Sequence, residues 1–194
     1  MKLKICGGEF RGRFILTPKG DTTRPTSERL RQTVFNILGP RVQDAVVLDP
    51  YAGSGAIGIE ALSRGASFAY LIEMNKSACD AIKKNLEELG LTSKTEVIYT
   101  DCHKAVHVLP KGKINFVYLD PPYAKTMGDL ASLERFLENL DKEGILENNA
   151  LIFLEMSFKY SQINLEKMPY YHLKKSRKIG DSCLHEISYQ SLLP

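Results

Sequence analysis

Residues 45–65 read AVVLDPYAGSGAIGIEALSRG. The run to Leu48 is short, continuous and apolar, as suits a strand buried on both faces. Gly53, Gly55 and Gly58 then satisfy G-x-G-x-x-G between that strand and a helix predicted from Ala56 to about Arg64. Gly65 is a natural residue to end the helix. Downstream the same alternation continues. FAYLIE (68–73), TEVIYT (95–100), INFVYLD (114–120) and ALIFLEM (150–156) read as strands. Helices are predicted over Lys76–Leu89, Cys102–Leu109 and Leu130–Leu140. Buried strands alternating with helices give a doubly wound α/β sheet, because parallel strands need crossover helices. The tail changes character. YYHLKKSRKIG and CLHEISYQSLL are strand-like and meet at Gly180-Asp181, which predicts a closing antiparallel hairpin.

Upstream, LKICGGEFRGRFILTP reads as two short strands around a glycine-rich, charged turn. Thr26 and Ser27 are candidate N-caps of a helix running through Asn36. Its apolar stripe is Leu30, Val34, Ile37 and Leu38, and Arg29 and Arg31 are expected off that stripe. The division expected is 1–41 as a basic hairpin-and-helix extension and 42–194 as the α/β domain.

In doubly wound sheets, ligands sit beyond the carboxyl ends of the strands. The chemistry-bearing residues fall there. Glu73 ends the second strand of the α/β domain, where an acid can accept hydrogen bonds from ribose hydroxyls. Asp49 lies four residues before the first glycine. A carboxylate there repels a pyrophosphate but suits S-adenosylmethionine, which carries a sulfonium and an ammonium and no phosphate. D-x-x-x-G-x-G resembles the first motif of class I methyltransferases, and Asp101 fits their adenine-contacting acid.

Asp120-Pro121-Pro122-Tyr123 follows the fourth of these strands. It resembles the motif of methyltransferases that modify exocyclic nitrogens. A nucleobase amine is a poor nucleophile because its lone pair is delocalised into the ring. Acceptors at the Asp120 carboxylate and the Pro121 carbonyl can take both N–H groups and favour a pyramidal nitrogen. The prolines preorganise those acceptors, and Tyr123 can stack on the base.

The chain has 194 residues, 43% hydrophobic and 25% charged, which argues against a disordered, collagenous or rod-like protein. The formal net charge of +3 hides a segregation. Residues 1–41 carry nine Lys or Arg against three acids, so the remaining 153 residues sum to −3. A second basic knot is Lys174, Lys175, Arg177 and Lys178. Cys6, Cys79, Cys102 and Cys183 show no CxxC pairing and read as thiols of a reducing compartment. His103 and His107 lack further ligands nearby, so no metal is expected. No apolar run approaches membrane-spanning length. A soluble, cytoplasmic protein is expected, monomeric by default.

From end to end the chain resembles the RsmD family of bacterial 16S ribosomal RNA guanine-N2 methyltransferases. The matching segments are GGEFRGR, RPTSERLRQTVFNIL, LDPYAGSGAIGIEALSRGA, LIEMN, DPPY and KSRKIGDSCL. One departure is Phe10, where the family pattern suggests a tryptophan. The resemblance implies a Rossmann-like class I methyltransferase fold and methyl transfer from S-adenosylmethionine to one guanine N2 of 16S rRNA. The substrate implied is the assembled small subunit or a late precursor. The implied cofactor contacts are Asp49, Tyr51, Ala52, Gly53, Ser54, Gly55, Glu73, Met74, Asp101 and Cys102. Asp120 and Tyr123 are the implied catalytic pair, with Pro121 and Pro122 shaping their loop. RNA contact falls on Arg11, Arg13, Arg24 and Lys178. The alternatives are a DNA adenine-N6 methyltransferase, an NAD(P)-dependent Rossmann oxidoreductase and a non-catalytic RNA-binding assembly factor. DPPY suits the first equally well, but no separate target-recognition domain is evident. Asp49 and DPPY speak against the second, and the presence of both Asp49 and Asp120 against the third.

Overall fold

A computed structural model describes residues 2–18, 27–121, 127–160, 163 and 165–191. The chain divides into two compact units, residues 1–102 and 103–194.

In the first unit, β1 (Lys2–Lys4) and β2 (Phe14–Leu16) form the expected antiparallel ribbon. Helix α1 (Glu28–Leu38) follows, its first turn capped by the Ser27 side chain, which accepts from the Leu30 N–H. Thr26, the other candidate cap, lies outside the described residues. Strands β3 (Val46–Asp49), β4 (Phe68–Glu73) and β5 (Thr95–Tyr99) are parallel, with β4 paired to both others. Helices α2 (Ala56–Ser63) and α3 (Lys76–Leu89) supply the crossovers. Every residue of α2 is buried, as expected of an apolar helix with no face left for water. Helix α3 keeps its predicted limits, with Asn75 as N-cap and Gly90 in the left-handed region just past its end.

One expectation is corrected here. Arg31 does not sit on an outer face; its side chain is almost wholly buried. It donates to the Lys4 carbonyl at 2.8 Å and lies 3.6 Å from the Glu60 carboxylate, itself buried in α2. Glu60 also receives Arg64 at 2.8 Å and the Cys6 N–H at 3.1 Å. Two cations and an amide donor compensate one buried carboxylate, which is the condition for burying such a charge at all.

The second unit begins with α4 (Cys102–Ala105), whose first residue closes the first unit; the turn after it tightens to 3₁₀ geometry. Strands β6 (Ile114–Leu119) and β7 (Leu146–Ser157) are parallel. Helix α5 (Met127–Lys142) runs past the predicted Leu130–Leu140 at both ends. The hairpin β8 (Tyr171–Ile179) and β9 (Ser182–Tyr189) adds antiparallel strands in the order β6-β7-β9-β8. Apolar β9 lies inside, and lysine-rich β8 takes the outer place. A charged strand there resists pairing with another chain. The fold is thus mixed α/β with mostly parallel strands and a C-terminal antiparallel hairpin, as read from the sequence. No helix among the described residues is long and apolar enough to cross a membrane.

Candidate functional site

The carboxyl ends of β3, β4 and β5 gather the residues expected to hold a cofactor. Asp49 closes β3 and is 2% exposed. Its carboxylate accepts the Tyr51 N–H at 3.3 Å. Burial pushes its carboxyl up to about 7; the Tyr51 N–H pulls the other way, and nearby Glu73 adds to the rise. A desolvated carboxylate of this kind is poised to receive a cation.

The loop after β3 folds back on the sheet. The Ala52 N–H donates to the Ile72 carbonyl at 3.0 Å and the Gly55 N–H to the Ala52 carbonyl at 2.7 Å. Gly53 (φ 54) and Gly55 (φ 75) sit in the left-handed region, and Gly55 caps α2. Gly58 serves packing instead: a Cβ there would collide with Leu71 on β4. Ser54 takes part through its backbone, its carbonyl accepting from the Asn85 side chain at 3.4 Å.

Glu73 clips this loop in place. One carboxylate oxygen accepts the Gly53 N–H at 2.9 Å and the other the Asn75 N–H at 2.8 Å. Each oxygen retains a second lone-pair direction for a hydroxyl donor. Met74, the next residue, is exposed and offers an apolar surface beside the acid. The Tyr51 hydroxyl meets the Cys102 thiol at 3.5 Å. Burial, with Cys102 and Asp101 beside it, raises this phenol well above its usual range, so it stays neutral. The structure therefore brings together Asp49, Tyr51, Ala52, Gly53, Ser54, Gly55, Glu73, Met74, Asp101 and Cys102 at one edge. No Lys or Arg occurs between Asp49 and Ser63. The groups that line this edge are carboxylate acceptors, with the Ala52, Gly53 and Gly55 amides already engaged inside the protein, which fits a ligand with ribose hydroxyls and cationic centres, not a pyrophosphate. A depression of about 590 Å³, bordered by Glu9, Asp44, Arg64, Ser67 and Lys94, lies at the opposite ends of these strands and contains none of them.

In the second unit, Asp120 and Pro121 directly follow β6 and are half-buried. Pro122, Tyr123 and Arg24 lie outside the described residues. Sequence reasoning missed the support beneath Asp120. Leu119 pairs with Leu154, so Asp120 stands level with Glu155 on β7. Glu155 receives the Tyr118 hydroxyl at 2.6 Å and the Ser182 hydroxyl at 2.7 Å. This bridge ties β6, β7 and β9 together at the strand ends. The available signal was polar residues inside apolar runs: Tyr118 in INFVYL and Glu155 in LIFLEM.

Arg11 is exposed in the turn of the ribbon. Arg13 is exposed too, yet its guanidinium donates to the Glu88 carbonyl near the end of α3 at 2.9 Å. Lys178 lies on β8 in the other unit, its ammonium 3.9 Å from the Phe158 ring centre. His103 is packed edge-on against Phe136, with its Nε2 2.9 Å from the Ser132 hydroxyl.

A family model described as Conserved hypothetical protein 95 matches residues 3–188. The Escherichia coli K12 protein named Ribosomal RNA small subunit methyltransferase D is 38% identical over 155 residues, 79% of this chain and 74% of that protein. The chain belongs to the RsmD family. A solved structure of the Escherichia coli protein yhhF superposes with a TM-score of 0.82 at 31% identity, covering 98% of this chain and 99% of that one. A solved methyltransferase from Geobacter sulfurreducens reaches a TM-score of 0.67 at 14% identity, over 86% and 80% of the two chains. That likeness is one of fold: the RsmD-family chain has the class I methyltransferase fold.

Proposed function

We propose that this RsmD-family chain transfers a methyl group from S-adenosylmethionine to the exocyclic N2 of a guanine in 16S rRNA, on the small subunit or a late precursor. The observation that carries the reading is Asp120-Pro121 at the end of β6, in a chain similar along most of its length to an rRNA small-subunit methyltransferase. S-adenosylmethionine, when bound, supplies an electrophilic methyl on a sulfonium. Asp49 holds its cationic end, and Glu73 and Asp101 accept from its hydroxyl and amino groups. Tyr51, Ala52, Gly53, Ser54, Gly55, Met74 and Cys102 shape the remaining contacts.

Asp120 accepts one N–H of the guanine N2 amine and the Pro121 carbonyl the other. That turns the nitrogen lone pair out of conjugation with the ring. Tyr123 is the residue to stack on the base, with Pro122 restricting its own backbone as any proline does. Because N2 inside a stacked helix is inaccessible, the target guanine is unpaired or flipped out. Residues 1–41 serve as the RNA-binding extension and 42–194 as the transferase domain, with Arg11, Arg13, Arg24 and Lys178 meeting phosphates.

The test incubates labelled S-adenosylmethionine with small subunits lacking the modification, and separately with duplex DNA. Label is expected in small-subunit RNA as N2-methylguanine. Label in DNA adenine, or in neither substrate, overturns the reading. Asp120→Ala is expected to abolish transfer while cofactor affinity stays within about twofold; near-normal turnover would sink the proposed role of Asp120.

A further inference from the structure

Among the described residues, the outward face of the β1–β2 ribbon is left exposed at Lys2, Lys4 and Phe14, and its composition is unusual. Strand residues alternate between faces. Leu3 pairs with Ile15, and Ile15 is 2% exposed, so this pair faces the core. Lys4 pairs with Phe14 and Lys2 with Leu16, so these four share the other face. Phe14 is 58% exposed, and both lysines are exposed. A phenylalanine more than half exposed thus shares a strand face with two exposed lysines, on the most basic segment of the chain.

The ribbon is held stiffly. The Ile5 N–H donates to the Arg13 carbonyl and the Gly12 N–H to the Ile5 carbonyl, both at 2.9 Å. The Asn85 side chain from α3 grips Leu16 at both ends, accepting its N–H at 2.7 Å and donating to its carbonyl at 2.9 Å. The Glu9 N–H donates to the Ser63 carbonyl at 2.7 Å. A rigid exposed aromatic costs little further ordering when a planar partner stacks on it. Every nucleobase has such a face, and lysines at strand spacing suit the flanking phosphates.

We propose that Phe14 is a stacking platform for an unpaired base of the RNA substrate, with Lys2 and Lys4 meeting the phosphates beside it. The proposal rests on the RNA reading above and adds a contact that is not phosphate-directed. A lipid surface would also accept an aromatic beside lysines. The excess of positive charge over residues 1–41, with one exposed ring on the ribbon face instead of an apolar stripe, favours RNA.

The experiment compares wild type, Phe14→Ala and Phe14→Tyr. It measures binding to unmodified small subunits, to free 16S rRNA and to anionic phospholipid vesicles, together with methyl transfer, S-adenosylhomocysteine affinity and thermal melting. Phe14→Ala is expected to weaken RNA binding roughly tenfold, within the range for loss of one stacked base. Phe14→Tyr should stay within about twofold of wild type. Melting, cofactor affinity and turnover at saturating RNA should not move. Ultraviolet cross-linking should attach RNA to the tryptic peptide that begins at Phe14. Unchanged RNA affinity in Phe14→Ala, or no cross-link to that peptide, overturns the platform. If wild type still methylates small-subunit RNA in that case, the functional reading stands. If wild type binds no RNA, or Phe14→Ala loses only binding to anionic phospholipid vesicles, the platform is likewise refuted.

Discussion

Asp49→Asn separates what the buried carboxylate costs the fold from what it does for a ligand. The carboxyl titrates near 3.8 when solvated and at about 7 in the folded chain, chiefly through burial. As pH rises from 4, the unfolded chain ionises first, and the folded state binds one more proton. Stability therefore falls between pH 4 and pH 7 and is constant above that. Three pH units correspond to about 4 kcal/mol. Asparagine keeps an oxygen for the Tyr51 N–H and carries no charge. Asp49→Asn should thus stabilise the ligand-free protein by up to about 4 kcal/mol at pH 8, and by only about 2 kcal/mol at pH 5. Urea denaturation at the two pH values reads both numbers. The same group sets the ligand's pH dependence. Under the proposed function, S-adenosylmethionine needs the ionised carboxylate, which is about one-tenth populated at pH 6 and about nine-tenths at pH 8. Wild-type affinity should drop about tenfold at pH 6, with proton release in calorimetry near neutrality. Asp49→Asn should bind weakly at every pH. A variant no more stable than wild type at pH 8, or a gain that ignores pH, would refute the argument.

Other expectations follow from the polar networks. Tyr118→Phe removes one donor to Glu155, and Ser182→Ala the other. Each should lower kcat several-fold with cofactor affinity unchanged in steady-state assays, because the strand end carrying Asp120 loosens; an effect confined to KM for the cofactor would contradict this. Arg31→Met should destabilise by about 3–5 kcal/mol in equilibrium unfolding, since it leaves Glu60 short of a cation. Adding Glu60→Gln should recover much of that loss, and full additivity of the two would disprove the coupling. A chain beginning at Thr17 removes the Cys6 N–H from Glu60, the Lys4 carbonyl from Arg31 and the Leu16 groups from Asn85. At about 1–3 kcal/mol for each buried group left unpaired, it should melt well below the full chain in a thermal unfolding assay.

The glycine loop after β3 was legible because its residues are fixed by local backbone demands. Gly53 and Gly55 are glycines since the turn needs positive φ, and Gly58 since α2 presses on Leu71. Helix α3 could be read to the residue, because its limits are set locally: Asn75 caps its start and Gly90 ends it. Arg31 could not. Its burial depends on Glu60, twenty-nine positions later, and on a carbonyl in β1, and no periodicity within α1 reports either. The Glu155 bridge was hidden for the same reason: its three members lie on three strands and meet only after the hairpin docks.

Charge gains its meaning from these placements. A net +3 is the residue of two opposed local fields, not a uniform coating. Around Asp49 the chain tolerates a buried carboxylate at a cost in stability, and the loop beside it has no cation to neutralise it. A fold optimised only for stability would not keep that group, so the unmet charge points to a cationic ligand. On the ribbon the reverse holds, with lysines set beside an exposed ring. Asn85 joins the two regions: its carboxamide holds Leu16 of the ribbon and also reaches Ser54 in the glycine loop. The basic ribbon is therefore built into the same unit as the glycine loop. Under the proposed function, an RNA held on that ribbon would act on the same compact unit that holds the cofactor, which is the coupling a two-substrate transferase requires.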